Sequence, residues 1–213
     1  MNQAVKVPAG GVLNLGMAKT GCRTYLAVAG GFEVPKVMGS YSTNLKCGIG
    51  GHEGRALQMG DELPIGEALH SWDEVKDRKV SVPDYPKEVL VSVVPGPQEE
   101  YFTEAGIHHF YSESYEVTES CDRMGYRLES KNGTDIVSDG IVFGSIQIPS
   151  SGKPIILMAD HQTTGGYAKI GTVTQADLPK VAQCKPGDRI RFRKVSVEEA
   201  QEISRKERKK ECF

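Results

Sequence analysis

No run of apolar residues in this 213-residue chain is long enough for a membrane-spanning helix, which needs about 20 of them. Residues 1–16 carry one Lys and interrupt their apolar positions with Pro8, Gly10 and Gly11, so nothing there resembles a secretory leader. The expectation is a cytoplasmic protein with no membrane partner. Net charge is also scarce, at −2, and the one strongly basic run, 205–210, lies at the C-terminus. That balance argues against a nucleic-acid surface. The five cysteines, at 22, 47, 121, 184 and 212, are odd in number and show no close pairing of the zinc or thiol-redox kind. They are expected to be reduced thiols, and no metal site is expected.

What the chain has in quantity is turn-forming residues, 24 Gly and 11 Pro, with short β-prone runs between them. Such runs are Arg23 to Ala29, Val89 to Val94, Tyr115 to Thr118, Ala168 to Thr174 and Arg189 to Val195. Many short strands between turn signals make a barrel or sandwich. Helical signals are fewer. Thr103 to Tyr111 and Ala176 to Gln183 read as short helices, and Ser196 with Glu199 reads as a capping box opening a charged C-terminal helix. The organisation expected is a Gly-rich β segment over 1–70, a Pro-rich loop or linker over 71–87, a β-barrel core over 88–195 and the charged helix over 196–213.

Chemistry concentrates in residues 138–167, SDGIVFGSIQIPSSGKPIILMADHQTTGGY. Gly144 to Ile148 and Pro154 to Met158 read as paired strands about the Pro149-Ser150-Ser151-Gly152 turn. The polar group Asp160, His161, Gln162, Thr163 and Thr164 follows as a loop before Gly165-Gly166 and Tyr167. Gln162, Thr163 and Thr164 suit a planar amide, and free backbone N–H groups at the glycine pair suit a developing oxyanion. Tyr167 can stack or donate. His161 is a candidate base, with no Ser or Cys nucleophile recognisable beside it. A turn that satisfies its own backbone through Asp and Thr side chains is the structural alternative. Asp139 either adds a carboxylate to the same pocket or holds a turn.

Arg123 and Arg127, four apart in Asp122-Arg123-Met124-Gly125-Tyr126-Arg127, would share a strand face and offer two guanidinium forks to a carboxylate or phosphate. Ion pairing to Asp122 or Glu129 is the structural alternative. The stiff Pro95-Gly96-Pro97-Gln98 turn aims Gln98 reproducibly, into the pocket or across a loop. Gly48 to Gly54 (GIGGHEG) is Gly-rich like a phosphate cradle, yet lacks the Gly-Lys-Ser/Thr ending and the strand-to-helix context. It reads as a pocket rim or a contact with another chain, and adjacent His52 and Glu53 are poor evidence for a metal.

Four blocks together, Arg23 to Phe32 (RTYLAVAGGF), Val94 to Gln98 (VPGPQ), Ser120 to Leu128 (SCDRMGYRL) and 138–167, resemble the KipA or allophanate hydrolase subunit 2 family, also called the biotin-dependent carboxyltransferase family. The resemblance runs from about Val7 to Phe192. It implies a mainly β, cyclophilin-like barrel with a few short helices. It further implies work as the C-subunit of an ATP-dependent 5-oxoprolinase, beside KipI-like and LamB/YcsF-like partner chains, on a small amide or lactam. ATP would be used by the complex, and the sequence does not say which of its chains holds it. The same resemblance allows a non-catalytic KipA-like module that antagonises a KipI-type kinase inhibitor, or a carboxyltransferase component of a urea carboxylase-like enzyme. Family members carry a further N-terminal segment before the position matching Val7, so the chain reads as a C-terminal portion. No Met-Lys-Met segment is present, so covalent biotin is not expected. Nor is there a Phe-His-Arg cluster of the cyclophilin type, and fold alone does not carry prolyl isomerase activity.

Overall fold

The computed structural model describes residues 2–81, 83–128 and 135–211. They fall into two compact units, Met1–Gly16 with Thr24–Pro83, and Met17–Arg23 with Asp84–Phe213.

The first unit has one short helix, α1 (Trp72–Val75). Ser71 caps it, its backbone N–H donating to Glu74 Oε2 at 2.7 Å. Otherwise the unit is held by isolated bridges, Gln3 with Lys79, Phe32 with Ile65, Val37 with Ser40 and Asn44 with Ile49. Among its described residues only Gly51 and Gly54 are buried. The β-prone run from Arg23 to Ala29 joins no ladder, contrary to the strand expected there.

The second unit is a closed barrel. Its strands are β1 (Glu88–Pro95), β2 (Ser114–Cys121), β3 (Gly125–Leu128), β4 (Asp135–Gly140), β5 (Ser145–Ile148), β6 (Ile155–Leu157), β7 (Thr164–Val173) and β8 (Arg189–Lys194). The order is β1-β8-β2-β3-β6-β5-β7-β4, and a further β1–β7 pairing closes seven of them into a ring with β4 attached outside it to β7. The β1–β8 pair is parallel and the other pairings are antiparallel. Alternation along β1 and β8 turns Val89, Val91, Val93, Ile190 and Phe192 inward, where they meet Tyr126, Leu128, Ile146, Ile156 and Ile170. At the closing seam Pro95 faces Gly171, where a Cβ would lie 2.3 Å from Val93 Cγ1. Only glycine lets the two strands come that close. The mainly β barrel with few helices agrees with the expectation, and β5 and β6 form the expected hairpin.

Helix α2 (Glu104–Ser112) begins at Thr103, whose Oγ1 accepts the Gly106 N–H, and seats Phe110 on Phe192 with ring centroids 4.5 Å apart. Helix α3 (Leu178–Gln183) is tied to β1 by buried Asp177, which accepts the Ser92 backbone N–H at 2.7 Å. Helix α4 (Val197–Glu211) starts where Ser196 Oγ accepts the Glu199 N–H at 3.1 Å, as the capping motif implied. Among the described residues no helix is long and apolar enough to cross a membrane.

Candidate functional site

The site forms where the end of β4 meets the start of β7. Asp139 is paired with Gly165, and Gly140 with Thr164. Thr164, Gly165, Gly166 and Tyr167 were expected in a loop but lie in β7, and Asp139 lies in β4 rather than a turn. Their polar character misleads because this stretch of β7 runs along the attached strand β4, leaving its side chains half-buried or exposed.

Gln98 bridges the two strands. Gly96 N–H donates to the Ile170 carbonyl at 2.9 Å, and a Cβ on Gly96 would lie 2.3 Å from the Lys169 carbonyl oxygen. The Pro-Gly-Pro turn is thus pressed against β7. From that base Gln98 Oε1 accepts the Lys169 backbone N–H at 3.0 Å, while its Nε2 donates to Asp139 Oδ2 at 3.0 Å. The same Asp139 oxygen receives Lys169 Nζ at 2.7 Å. Lys169 is only 5% exposed, whereas the Asp139 side chain is 52% exposed, so a buried cation opens to solvent through its carboxylate. Hydrogen bonding from Lys169, then from the Gly140 backbone N–H, holds the Asp139 carboxyl below its ordinary range. An ammonium has three donors, and Asp139 takes one.

Gln147 completes the floor. It is 1% exposed and its Nε2 donates to the Tyr167 carbonyl at 3.3 Å. A Cβ on Gly165 would lie 2.7 Å from that nitrogen, 2.6 Å from Ile141 Cδ1 and 3.4 Å from Gln162 Nε2. The missing side chain at Gly165 therefore lets two amide groups converge on the backbone beside Asp139. Thr163 is held by its carbonyl, which accepts the Ile141 N–H at 3.0 Å.

Lys169 and Gln147 were not anticipated from the sequence. The signal for each is one long polar side chain inside an apolar strand, as in AKIGTV and SIQI, at a depth where such groups are rare unless partnered.

The other expected residues are placed differently. Arg123 sits in the turn between β2 and β3, not on a strand, so it does not share a strand face with Arg127. Its guanidinium grips Asp160 with Nε at 2.7 Å and Nη2 at 3.0 Å, while Asp122 accepts the N–H groups of Met124 and Gly125. Glu129 lies outside the described residues. Arg127 is exposed on β3. His161 Nδ1 stands 2.6 Å from the Gln162 carbonyl oxygen, which fixes the ring against its own loop. The structure thus brings Gln98, Asp139, Gly165 and Gln162 together and adds Lys169 and Gln147, while Arg123 and Asp160 stitch a neighbouring turn.

The Gly48–Gly54 loop folds on itself. Gly54 N–H donates to the Gly50 carbonyl at 2.9 Å, and a Cβ on Gly54 would lie 2.0 Å from the Gly48 carbonyl oxygen. Arg55 binds both Glu53 and Asp61 at 2.7 Å, with His52 3.6 Å from Asp61. Arg55, Glu53, Asp61 and His52 are thus joined in one side-chain network. Among the described residues no group of three or more His, Cys, Asp or Glu side chains is arranged to hold a metal ion.

The closed β-barrel thus carries a lysine-carboxylate-amide cluster at one wall, and its likeness is to carboxyltransferase folds. The chain belongs to the family described as carboxyltransferase domain, subdomain A and B, whose profile matches residues 1–194. It is 42% identical over 201 residues to the C-subunit of the 5-oxoprolinase of Escherichia coli, covering 90% of this chain and 62% of that protein. To the corresponding 5-oxoprolinase C-subunit of Haemophilus influenzae it is 39% identical over 206 residues, covering 94% of this chain and 65% of that protein. The chain therefore spans less than two thirds of the length of these relatives. Among solved structures, the K. lactis urea amidolyase is similar at TM-score 0.75 and 27% identity, over 90% of this chain and 13% of that one.

Proposed function

We propose that the chain acts as the counterpart of the C-subunit in an ATP-dependent 5-oxoprolinase, which opens a five-membered lactam to glutamate. The observation that carries this reading is the buried Lys169 ammonium, bound by Asp139, whose carboxylate is held in turn by the Gln98 amide and stands on the strand position paired with Gly165. A lactam is a poor electrophile because its nitrogen lone pair is shared with the carbonyl. Donors aimed at the carbonyl oxygen favour the form in which negative charge gathers there, and a buried ammonium does so more strongly than a neutral amide. In this proposal Lys169 and the Gln147 amide face that oxygen, Gln162 meets the ring N–H, and Thr163 and Thr164 flank the ring. Asp139 holds the ammonium in place. Ring opening breaks the C–N bond, adds a water-derived oxygen to the carbonyl carbon and leaves a protonated amine. ATP belongs to the complex, and no step assigned to this chain passes through it.

The test is ATP-dependent conversion of 5-oxoproline to glutamate by purified KipI-like and LamB/YcsF-like partners, with and without this chain. Activity that depends on the chain supports the proposal. Full activity without it refutes the proposal. Carboxyl transfer to a urea-like amide is a second reading, favoured by the similarity to the urea amidolyase. It requires a biotinylated carrier on another chain, so inhibition by avidin separates the two.

A further inference from the structure

Three cysteines far apart in the sequence come together beside helix α3. Cys22, Cys121 and Cys184 all belong to the second unit and are free thiols. Cys22 lies in the segment Met17–Arg23, which Gln183 clasps to α3. Gln183 Oε1 accepts the Cys22 N–H at 3.0 Å and the Arg23 N–H at 2.9 Å, and its Nε2 donates to the Arg23 carbonyl at 3.1 Å. Gly21, with φ of +69°, lets the clasp close, since a Cβ there would lie 2.7 Å from Gln183 Oε1. The Cys22 thiol then donates to the Cys184 carbonyl at 3.2 Å, and the same oxygen accepts the Tyr126 hydroxyl at 3.1 Å. Cys121 is the strand partner of Tyr126 across β2 and β3, and such partners turn their side chains to one face. Cys22 thus meets the tip of the Tyr126 side chain while Cys121 stands beside its base. Burial, followed by the neighbouring Cys22 thiol, raises the Cys121 thiol.

Arg23 supplies the charge. Its Nη1 donates to Cys22 Sγ at 3.5 Å and to the Tyr126 hydroxyl at 2.7 Å, so a guanidinium faces the sulfur where negative charge gathers during attack on an electrophile. Accessibility separates the three thiols. Cys22 is exposed and Cys121 half-buried, whereas Cys184 is 3% exposed, donates to the Lys180 carbonyl at 3.3 Å and is pushed by burial up to about 12.

We propose that Cys22 is a peroxide-reactive thiol whose oxidation is completed by Cys121, so that a reversible Cys22–Cys121 disulfide fastens the segment Met17–Arg23 to the end of β2. The Cys22 sulfur attacks one peroxide oxygen, the O–O bond breaks, and the other oxygen leaves as water with the Cys22 proton, giving a sulfenic acid. The Cys121 sulfur then displaces the hydroxyl from that acid, and its proton leaves with the hydroxyl as a second water. Two thiols are oxidised to one disulfide and one hydrogen peroxide is reduced to two waters. The site is distinct from the Lys169 cluster, and the proposal stands whether or not that cluster opens a lactam.

The reduced full chain is treated with hydrogen peroxide in small excess, remaining thiols are alkylated, and peptides are mapped by mass spectrometry against time. Cys47, exposed in the first unit, is the internal reference. The expected result is loss of the Cys22 thiol at least about tenfold faster than that of Cys47, with a Cys22–Cys121 peptide that dithiothreitol cleaves. Cys121→Ser is expected to stop at a sulfenic acid that dimedone captures on Cys22, and Cys22→Ser to leave Cys121 reduced. The oxidised wild-type chain is expected to melt at a higher temperature than the reduced one, a difference both variants lose. Oxidation of Cys22 no faster than Cys47 overturns the proposal. It is overturned equally by a disulfide from Cys22 to any cysteine other than Cys121, or by Cys22 passing to sulfinic acid in the wild-type chain without pairing.

Discussion

Lys169 Nζ lies 2.7 Å from Asp139 Oδ2, joining a buried cation of the barrel wall to a carboxylate that is half in solvent. The pair is asymmetric. Lys169 depends on Asp139 for its charge to be tolerated, whereas Asp139 can turn to water.

Lys169→Met is expected to lower kcat/KM for ATP-coupled lactam opening by about 100-fold or more, the scale of losing one oxyanion donor. Asp139→Asn is expected to lower it less and to destabilise the fold, since it leaves the buried ammonium without its counter-ion. Steady-state kinetics of the reconstituted complex, with thermal melts of both variants, check this. The Asp139 carboxyl is held below its ordinary range, so the pair's contribution is present at neutral pH. It is lost only in acid, as the pH falls through that lowered value.

Gly165→Ala places a methyl 2.6 Å from Ile141 Cδ1 and 2.7 Å from Gln147 Nε2. Both must move, and the expected cost is about 1–3 kcal/mol. In the proposed reading the Gln147 amide faces the lactam, so its displacement should also weaken substrate binding. Urea denaturation and titration calorimetry with 5-oxoproline measure the two effects separately.

Gly171→Ala acts at the β1–β7 seam, where the new Cβ meets Val93 Cγ1 at 2.3 Å and the Val94 carbonyl oxygen at 2.9 Å. A loss of about 3 kcal/mol is expected. Gly140→Ala is the internal control, with nothing within 4 Å of its Cβ, and should change stability by no more than about 0.5 kcal/mol. Equal urea midpoints for the two variants would contradict the seam geometry.

Asp177→Asn removes a buried carboxylate that accepts the Ser92 N–H at 2.7 Å. The expected loss at neutral pH is about 1.5–3 kcal/mol, the scale of a hydrogen bond to a charged group. Burial pushes this carboxyl up, but hydrogen bonds from Lys180 and the Ser92 backbone hold the net value below its ordinary range. Stability from Asp177 is therefore present above the unfolded carboxylate value and disappears as the pH falls through the native one. The gap between wild-type and variant urea midpoints should narrow from pH 7 towards pH 3.

Strands β1, β2 and β8 are legible in the sequence because their apolar residues alternate, and the β5–β6 hairpin because turn residues sit between two apolar runs. Capping at Ser196 is legible for a local reason, as side chain and backbone N–H are three residues apart. The site is legible only in part. Asp139 and Gly165 both stand out, but their pairing across 26 residues depends on how β4 lies on β7, which no local pattern encodes. The start of β7 reads as a loop because its outward side chains are polar. Arg123 reads as a strand-face residue, whereas it lies in a turn and its partner Asp160 is 37 residues away. Lys169 and Gln147 are hidden because single polar residues in apolar runs read as noise until the strands around them are closed.

The parallel pairing of β1 with β8 has a consequence for how the barrel is made. Val89 lies beside Ile190, and every residue of β1 from Glu88 to Val93 takes its partner from the segment Arg189–Lys194. During synthesis β1 leaves the ribosome long before its neighbour exists, and Val89, Val91 and Val93 must wait in the open for it. Contacts of such sequence separation carry a large loop-closure entropy and slow the folding step. The barrel thus closes only once Arg189–Lys194 has been made, and its apolar first strand is the segment most in need of protection from aggregation in the interval.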